Sequence, residues 1–148
     1  MRKVLFFVIM IIAVVSCNKE TKYSNIPKIT FTSLSTDKVK AGGDSTVFIR
    51  FDFEDGDGNI GFGTNNLFLR DTRDTVVVPF LIPTIPDKFN PSSGLKGVIQ
   101  IDYEAAFLLM RTDSAHLETD TMRWEIYMKD KAGNRSNTIT TSELILTK

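Results

Sequence analysis

Residues 47–54 read Val-Phe-Ile-Arg-Phe-Asp-Phe-Glu, and this stretch decides the fold class. Apolar side chains occupy every second position from Val47 to Phe53, and Arg50 and Asp52 alternate with them. A β-strand sends successive side chains to opposite faces, whereas a helix would scatter these phenylalanines around its circumference. The stretch therefore predicts a strand with one face in a hydrophobic core and the other in water.

The same two-residue period recurs late in the chain, in Met122–Lys129, where the apolar residues from Met122 to Met128 share one face. Five shorter stretches are also strand candidates: Lys28–Leu34, Leu67–Arg70, Thr75–Ile82, Gly97–Tyr103 and Thr138–Leu146. Turn clusters rich in Gly, Asp, Asn and Ser separate them. About seven short strands at this spacing predict an all-β fold, a single antiparallel β-sandwich of immunoglobulin type spanning residues 28–148.

One segment competes with this all-β interpretation. The composition of Glu104–Arg111 favours a helix, so we predict a short helix or an irregular crossover between sheets there. The charged stretch Arg70–Thr75 repeats Arg-Asp-Thr, which is typical of a solvated hairpin tip.

Composition excludes several classes of function. The chain has 148 residues, with 18 basic and 18 acidic side chains, so no net positive charge favours nucleic acid as a partner. It has one Cys, Cys17, and one His, His116. These counts argue against a disulfide framework, a structural zinc site and a Cys–His nucleophile. We expect His116 to be exposed in a polar loop.

The N-terminus carries a targeting signal. Two basic residues, Arg2 and Lys3, precede twelve apolar residues at positions 4–15, too few for a helix across a bilayer roughly 30 Å thick. The following Val14–Cys17 sequence resembles the bacterial lipobox. That resemblance implies a signal peptide at residues 1–16, lipidation of Cys17 and a polar tether at 17–27, with the membrane as a partner through the lipid. The alternative is an ordinary signal peptide, or a short anchor helix, with a coincidental cysteine.

The stretch 55–59, Asp-Gly-Asp-Gly-Asn, carries the richest chemistry. It places oxygen ligands at alternate positions, and its glycines let the chain curl, as a hard cation such as Ca²⁺ requires. An EF-hand is rejected, because Ile60 occupies the position of its invariant glycine and Asn66 that of its bidentate glutamate.

A sandwich loop can instead share a cation with a neighbouring loop. In an immunoglobulin-like topology the turn after the second strand and the turn before the last strand lie at the same end. We therefore expect a structural Ca²⁺ clamp, the one cofactor that the sequence suggests, whose candidate ligands are Asp55, Asp57, Asn59, Asp130 and Asn134. The alternative is that these residues are only preferred turn formers.

The two loops at residues 53–61 and 129–137 resemble those of immunoglobulin-like or cadherin-like lipoproteins of Bacteroidota. The resemblance implies a lipid-anchored protein of the bacterial cell envelope, in the periplasmic or surface leaflet of the outer membrane. It bears on fold and location rather than on activity.

We expect a non-catalytic role in binding, adhesion or structural support, with a carbohydrate or protein as ligand and no nucleic acid. Two alternatives remain: a small envelope hydrolase acting on polysaccharide, and a lipoprotein subunit of a larger envelope complex. An enzyme should have a cleft with convergent carboxylates or His116, whereas a binding module should have an exposed apolar patch or an open sheet edge.

Overall fold

The computed structural model describes residues 23–86, 94–111 and 117–148. Within these ranges the fold is all-β, with ten strands and one three-residue 3-10 turn, Ala105–Phe107. The strands are β1 (Lys28–Leu34), β2 (Lys38–Lys40), β3 (Thr46–Asp55), β4 (Asn65–Asp71), β5 (Val77–Leu81), β6 (Leu95–Glu104), β7 (Thr119–Met122), β8 (Trp124–Met128), β9 (Ile139–Thr140) and β10 (Leu144–Thr147).

The strands form three open sheets, in the spatial orders β1-β3-β6, β2-β10-β7 and β5-β4-β8-β9. The longest pairing joins β3 to β6 in antiparallel register from Thr46↔Glu104 to Asp55↔Leu95. The pairing of β10 with β2 is parallel, so the prediction of a purely antiparallel sandwich is wrong at this one pair. β5 and β6 each lie at the end of a sheet, so within the described residues each has one edge without a neighbouring strand.

Buried side chains from all three sheets form one hydrophobic cluster. The inward face predicted for β3 is confirmed, because Val47, Ile49 and Phe51 are fully buried. Trp124 and Ile126 of β8 are buried in the same cluster. Removal of this apolar area from water is the main favourable term in folding, and the arrangement of sheets around one core is consistent with a β-sandwich.

The predicted strand count of about seven differs from the ten observed in the described ranges, and the reasons are local. The predicted strand Met122–Lys129 is broken at Arg123, so that β7 joins β10 while β8 joins β4. The predicted strand Thr138–Leu146 likewise divides into β9 and β10. The short β2 was missed, because an alternation of only three residues around the single buried Val39 is too short to indicate a strand.

The only regular element in the segment Glu104–Arg111 is the 3-10 turn. Of the two predicted alternatives, the irregular crossover therefore fits the structure better than the short helix does. A segment of this length is too short to sustain a helix by its composition alone. Its backbone bonds to the neighbouring turn instead: Ala105 N–H donates to Ser45, and Gly42 N–H donates to the carbonyls of Ala105 and Leu108.

β1 begins at Lys28, and the residues immediately before it lie against the β-domain. Pro27 is buried, and the Ser24 carbonyl accepts a hydrogen bond of 2.7 Å from Gly56 N–H. The predicted signal peptide, Cys17, the first part of the tether up to residue 22, and His116 lie outside the described residues.

Candidate metal site

Two loops that follow strands of different sheets meet at one place. The loop 55–59 follows β3 in the first sheet, and the loop 130–134 follows β8 in the third. A backbone hydrogen bond of 3.2 Å, from Lys131 N–H to the Asn59 carbonyl, joins them. The side chains that extend from both loops therefore share one small volume.

Three carboxylates come together between these loops. Asp55, Asp57 and Asp130 each offer an oxygen, and these oxygens lie within 4.8 Å of one another. Asp55 is 0% exposed and Asp130 is 2% exposed, while Asp57 is half-buried. Buried like charges at such separations repel strongly unless a proton or a cation neutralises them. This group could hold a metal ion.

The two asparagines among the candidate ligands lie beside the carboxylates. Asn59 donates its backbone N–H to Asp55 Oδ2 at 3.1 Å and its side-chain amide to Asp57 Oδ2 at 2.8 Å. Asn134 donates both its backbone N–H and its side-chain amide to Asp130, at 2.7 Å each. The structure thus brings all five candidate residues together, and these hydrogen bonds within each loop are also what turn chemistry alone would produce.

Turn chemistry does not account for three further oxygens. Oδ1 of Asp55, of Asp57 and of Asn59 are all buried, and no donor in the described part of the chain reaches any of them. A buried polar atom without a partner costs roughly 1–3 kcal/mol, and more if it is charged. Carboxylate and amide oxygens in this position can be satisfied by a cation, and a carboxylate can also be satisfied by a proton.

The ionisation of Asp55 reflects this environment. Burial first, and then the hydrogen bond and the negative charge of Asp57, raise the pKa of Asp55 from 3.8 to about 7. The charge of Asp130 acts in the same direction, while the hydrogen bond from Asn59 N–H opposes it. Both burial and neighbouring negative charge disfavour the charged form of a carboxyl group, so a cation bound beside Asp55 would lower this pKa.

Glycine is required at two positions of the first loop, for a different structural reason at each. Gly58 has a φ of +67°, a left-handed conformation that favours glycine and lets the chain curl around the carboxylates. Gly56 lies against the N-terminal segment: a Cβ there would overlap the Tyr23 carbonyl oxygen and lie 2.7 Å from Asn25 Oδ1. The contact of residues 23–25 with this site could not be predicted, because these residues carry no periodicity or motif.

A second cluster of charges lies away from the metal site. Arg73 is 13% exposed and binds Asp71 and Asp120 at 2.6 Å each, so the prediction of a solvated hairpin tip is wrong for this residue. Arg111 donates to the Arg73 carbonyl. Asp71, Arg73 and Arg111 line a depression of about 530 Å³ together with Tyr103. The pKa of Tyr103 is raised by burial and by the negative charge of Asp71.

The unpaired edges of β5 and β6 border an apolar groove of about 640 Å³. Phe53, Phe80 and Ile101 line it, and the exposed Leu81 and Val98 lie at its rim. An exposed apolar surface beside open sheet edges is typical of an interaction site rather than of a solvated surface.

The chain matches no protein-family model, and no curated protein is significantly similar to it. Within the described ranges, no helix is long and apolar enough to cross a membrane.

Proposed function

We propose that this chain is a non-catalytic, lipid-anchored module of the bacterial cell envelope, an immunoglobulin-like β-sandwich stiffened by one Ca²⁺ ion. The ion would lie between the loops 55–59 and 130–134 and tie together strands of two sheets. The observation that carries the proposal is the set of three buried side-chain oxygens without donors, on Asp55, Asp57 and Asn59.

The chemistry of the donors supports Ca²⁺ over other common cations. All candidate ligands offer oxygen, and neither sulfur nor imidazole nitrogen lies among them, which disfavours zinc. Calcium accepts six to eight oxygens in flexible geometry, including amide and backbone carbonyl oxygens, whereas Mg²⁺ demands a near-ideal octahedron. Asp55, Asp57 and Asp130 supply the charge, and Asn59 Oδ1 supplies a neutral oxygen.

Two observations support a structural and binding role over hydrolysis. Asp55 and Asp130 of the metal site are both buried, so neither side chain is open to a polysaccharide in solution. Elsewhere, Arg73 and its acidic neighbours are held in ion pairs. The apolar groove beside β5 and β6 is the surface that best suits a protein or carbohydrate ligand.

The anchor is tested by replacing its cysteine. If Cys17 is lipidated, the Cys17→Ser chain should lose its lipid, and a label from radioactive palmitate should disappear from it. The unsubstituted chain should incorporate the label and partition into detergent-rich phase. Equal labelling of both chains would contradict the lipid anchor without affecting the metal site.

The cation is tested by thermal unfolding of the full-length chain in detergent, with Ca²⁺ and with chelator. At a concentration about 100 times its dissociation constant, a ligand specific to the folded state stabilises it by roughly 2.7 kcal/mol, which is on the order of 10 °C for this size. The double variant Asp55→Asn with Asp57→Asn should lose this shift.

Asp44→Asn is the matched control, because Asp44 is an exposed aspartate in a different glycine-containing turn. It should keep the full shift. Identical unfolding of the unsubstituted chain with Ca²⁺ and with chelator would overturn the calcium proposal and leave residues 55–59 as turn chemistry only.

A further inference from the structure

The N-terminal segment 23–25 is in contact with both loops of the metal site. Gly56 N–H donates to the Ser24 carbonyl at 2.7 Å, and the Asn134 side-chain amide lies 3.4 Å from the Asn25 carbonyl. Residues 23–25 are also the last residues before the chain enters the β-domain through buried Pro27 and β1. Residues 23–25, the junction between the N-terminal region and the β-domain, therefore contact both loops of the metal site.

Gly56 makes this contact possible. A Cβ on Gly56 would overlap the Tyr23 carbonyl oxygen, and it would lie 2.7 Å from both the Ser24 carbonyl carbon and Asn25 Oδ1. The obstacle is largely backbone, which cannot rotate away as the end of a long side chain can. Only glycine lets residues 23–25 lie this close to the loop.

The position of Gly56 in the loop links this contact to the cation. Gly56 lies between Asp55 and Asp57, so its peptide groups are attached to both of the residues whose Oδ1 atoms lack donors. A cation bound to these oxygens would hold the loop, and with it the Gly56 N–H, in one orientation. Without a cation, repulsion among the three ionised carboxylates would favour opening of the loop and loss of its bond to Ser24.

We infer that cation binding locks residues 23–25 onto the loop 55–59, so that the metal site controls whether the N-terminal junction is docked on the β-domain or released. This inference rests on the proposed Ca²⁺ site. Coupling of this kind is reciprocal: a cation that favours the docked junction must bind more weakly when docking is prevented, by the same factor.

The first test is backbone amide exchange of the full-length chain in detergent micelles, measured with Ca²⁺ and with chelator. The Gly56 amide should exchange at least tenfold more slowly with Ca²⁺, because its acceptor is the Ser24 carbonyl. The Gly42 amide is the control, since it donates to Ala105 and Leu108 and touches neither metal-site loop. Once the effect of Ca²⁺ on global unfolding is subtracted, the exchange rate of the Gly42 amide should be the same with Ca²⁺ and with chelator.

The second test is Gly56→Ala, which keeps every candidate ligand but pushes residues 23–25 away. We expect its Ca²⁺ dissociation constant to rise by roughly 5- to 100-fold, with no Ca²⁺-dependent protection at position 56. Gly42→Ala is the matched control: Gly42 has a left-handed φ of +67°, a Cβ there would meet no atom within 4 Å, and it lies outside both metal-site loops. Some loss of stability is expected from backbone strain, but the Ca²⁺ dissociation constant and the Ca²⁺-dependent protection of the Gly56 amide should not change.

The outcomes separate the two proposals. If the unsubstituted chain binds Ca²⁺ but its Gly56 amide exchanges equally fast with and without the ion, the coupling is overturned and the metal site stands. If no Ca²⁺ binds, the proposed function itself fails. The exchange measurement needs no substitution, so it decides the question even if Gly56→Ala does not fold.

Discussion

In chelator at pH 8, Asp55→Asn is expected to raise the unfolding free energy by on the order of a few kcal/mol, and Ca²⁺ should shrink this advantage by stabilising the unsubstituted chain more than the variant. Without a cation, ionised Asp55 is buried beside Asp57 and Asp130, and its raised pKa measures that penalty. An asparagine removes the charge. Its oxygen can still accept from Asn59 N–H, and its NH₂ group can donate to the neighbouring carboxylates.

The pH dependence supplies the control for this prediction. Because the folded-state pKa of Asp55, about 7, lies above its unfolded value, its contribution to stability is fully present below pH 3.8. That contribution is lost as the pH rises to about 7. The advantage of Asp55→Asn in chelator should therefore be large at pH 8 and vanish near pH 4. Denaturant unfolding at both pH values measures it.

A destabilised Asp55→Asn chain in chelator at pH 8 would contradict this account of the site. It would mean that the Asp55 carboxylate is stabilised by the fold itself and needs no counter-ion. An Asp55→Asn advantage that stays undiminished in Ca²⁺ would separately argue that the ion does not use Asp55.

Trp124→Ala is expected to cost about 3–5 kcal/mol of unfolding free energy. Trp124 is 2% exposed, lies on β8 within the shared hydrophobic cluster, and packs against the Tyr103 ring with centroids 5.3 Å apart. Its removal leaves a large cavity between the sheets, and the surrounding strands cannot collapse to fill it. Because the chain has one tryptophan, unfolding should be followed by circular dichroism rather than by fluorescence.

Phe107→Ala is the matched aromatic control. Phe107 is 71% exposed in the 3-10 turn, so its removal should change stability by no more than about 0.5 kcal/mol. Similar losses for the two substitutions would contradict the single shared core. Added Ca²⁺ should recover part of the loss in Trp124→Ala by mass action, because the substitution leaves all five candidate ligands in place.

The strands that could be predicted from sequence are those with one buried face. β1 has the predicted bounds, Lys28–Leu34, and β3 differs by one residue at each end, because alternation is strong wherever one face packs on the core. The break at Arg123 could not be predicted. Met122 and Trp124 are both buried on the expected face, and the strand changes its hydrogen-bonding partner without interrupting the apolar pattern.

The two loops of the metal site could be predicted from the sequence, whereas the contact of residues 23–25 with them could not. Asp and Gly at alternate positions mark residues 55–59, and immunoglobulin-like topology suggests why Asp130 should lie near them. The approach of Ser24 and Asn25 depends on a backbone contact with Gly56, which leaves no trace in composition. The burial of Arg73 was missed for a similar reason, since Asp120 is remote in sequence and its pairing exists only in the folded chain.

The most direct test of the calcium site is a calorimetric titration of the full-length, chelator-treated chain in detergent with Ca²⁺ at pH 8. The proposal predicts one bound ion per chain, undiminished by Asp44→Asn and abolished in the Asp55→Asn, Asp57→Asn double variant. Absence of binding to the unsubstituted chain, or equal binding by the double variant, would contradict a calcium site between the loops 55–59 and 130–134.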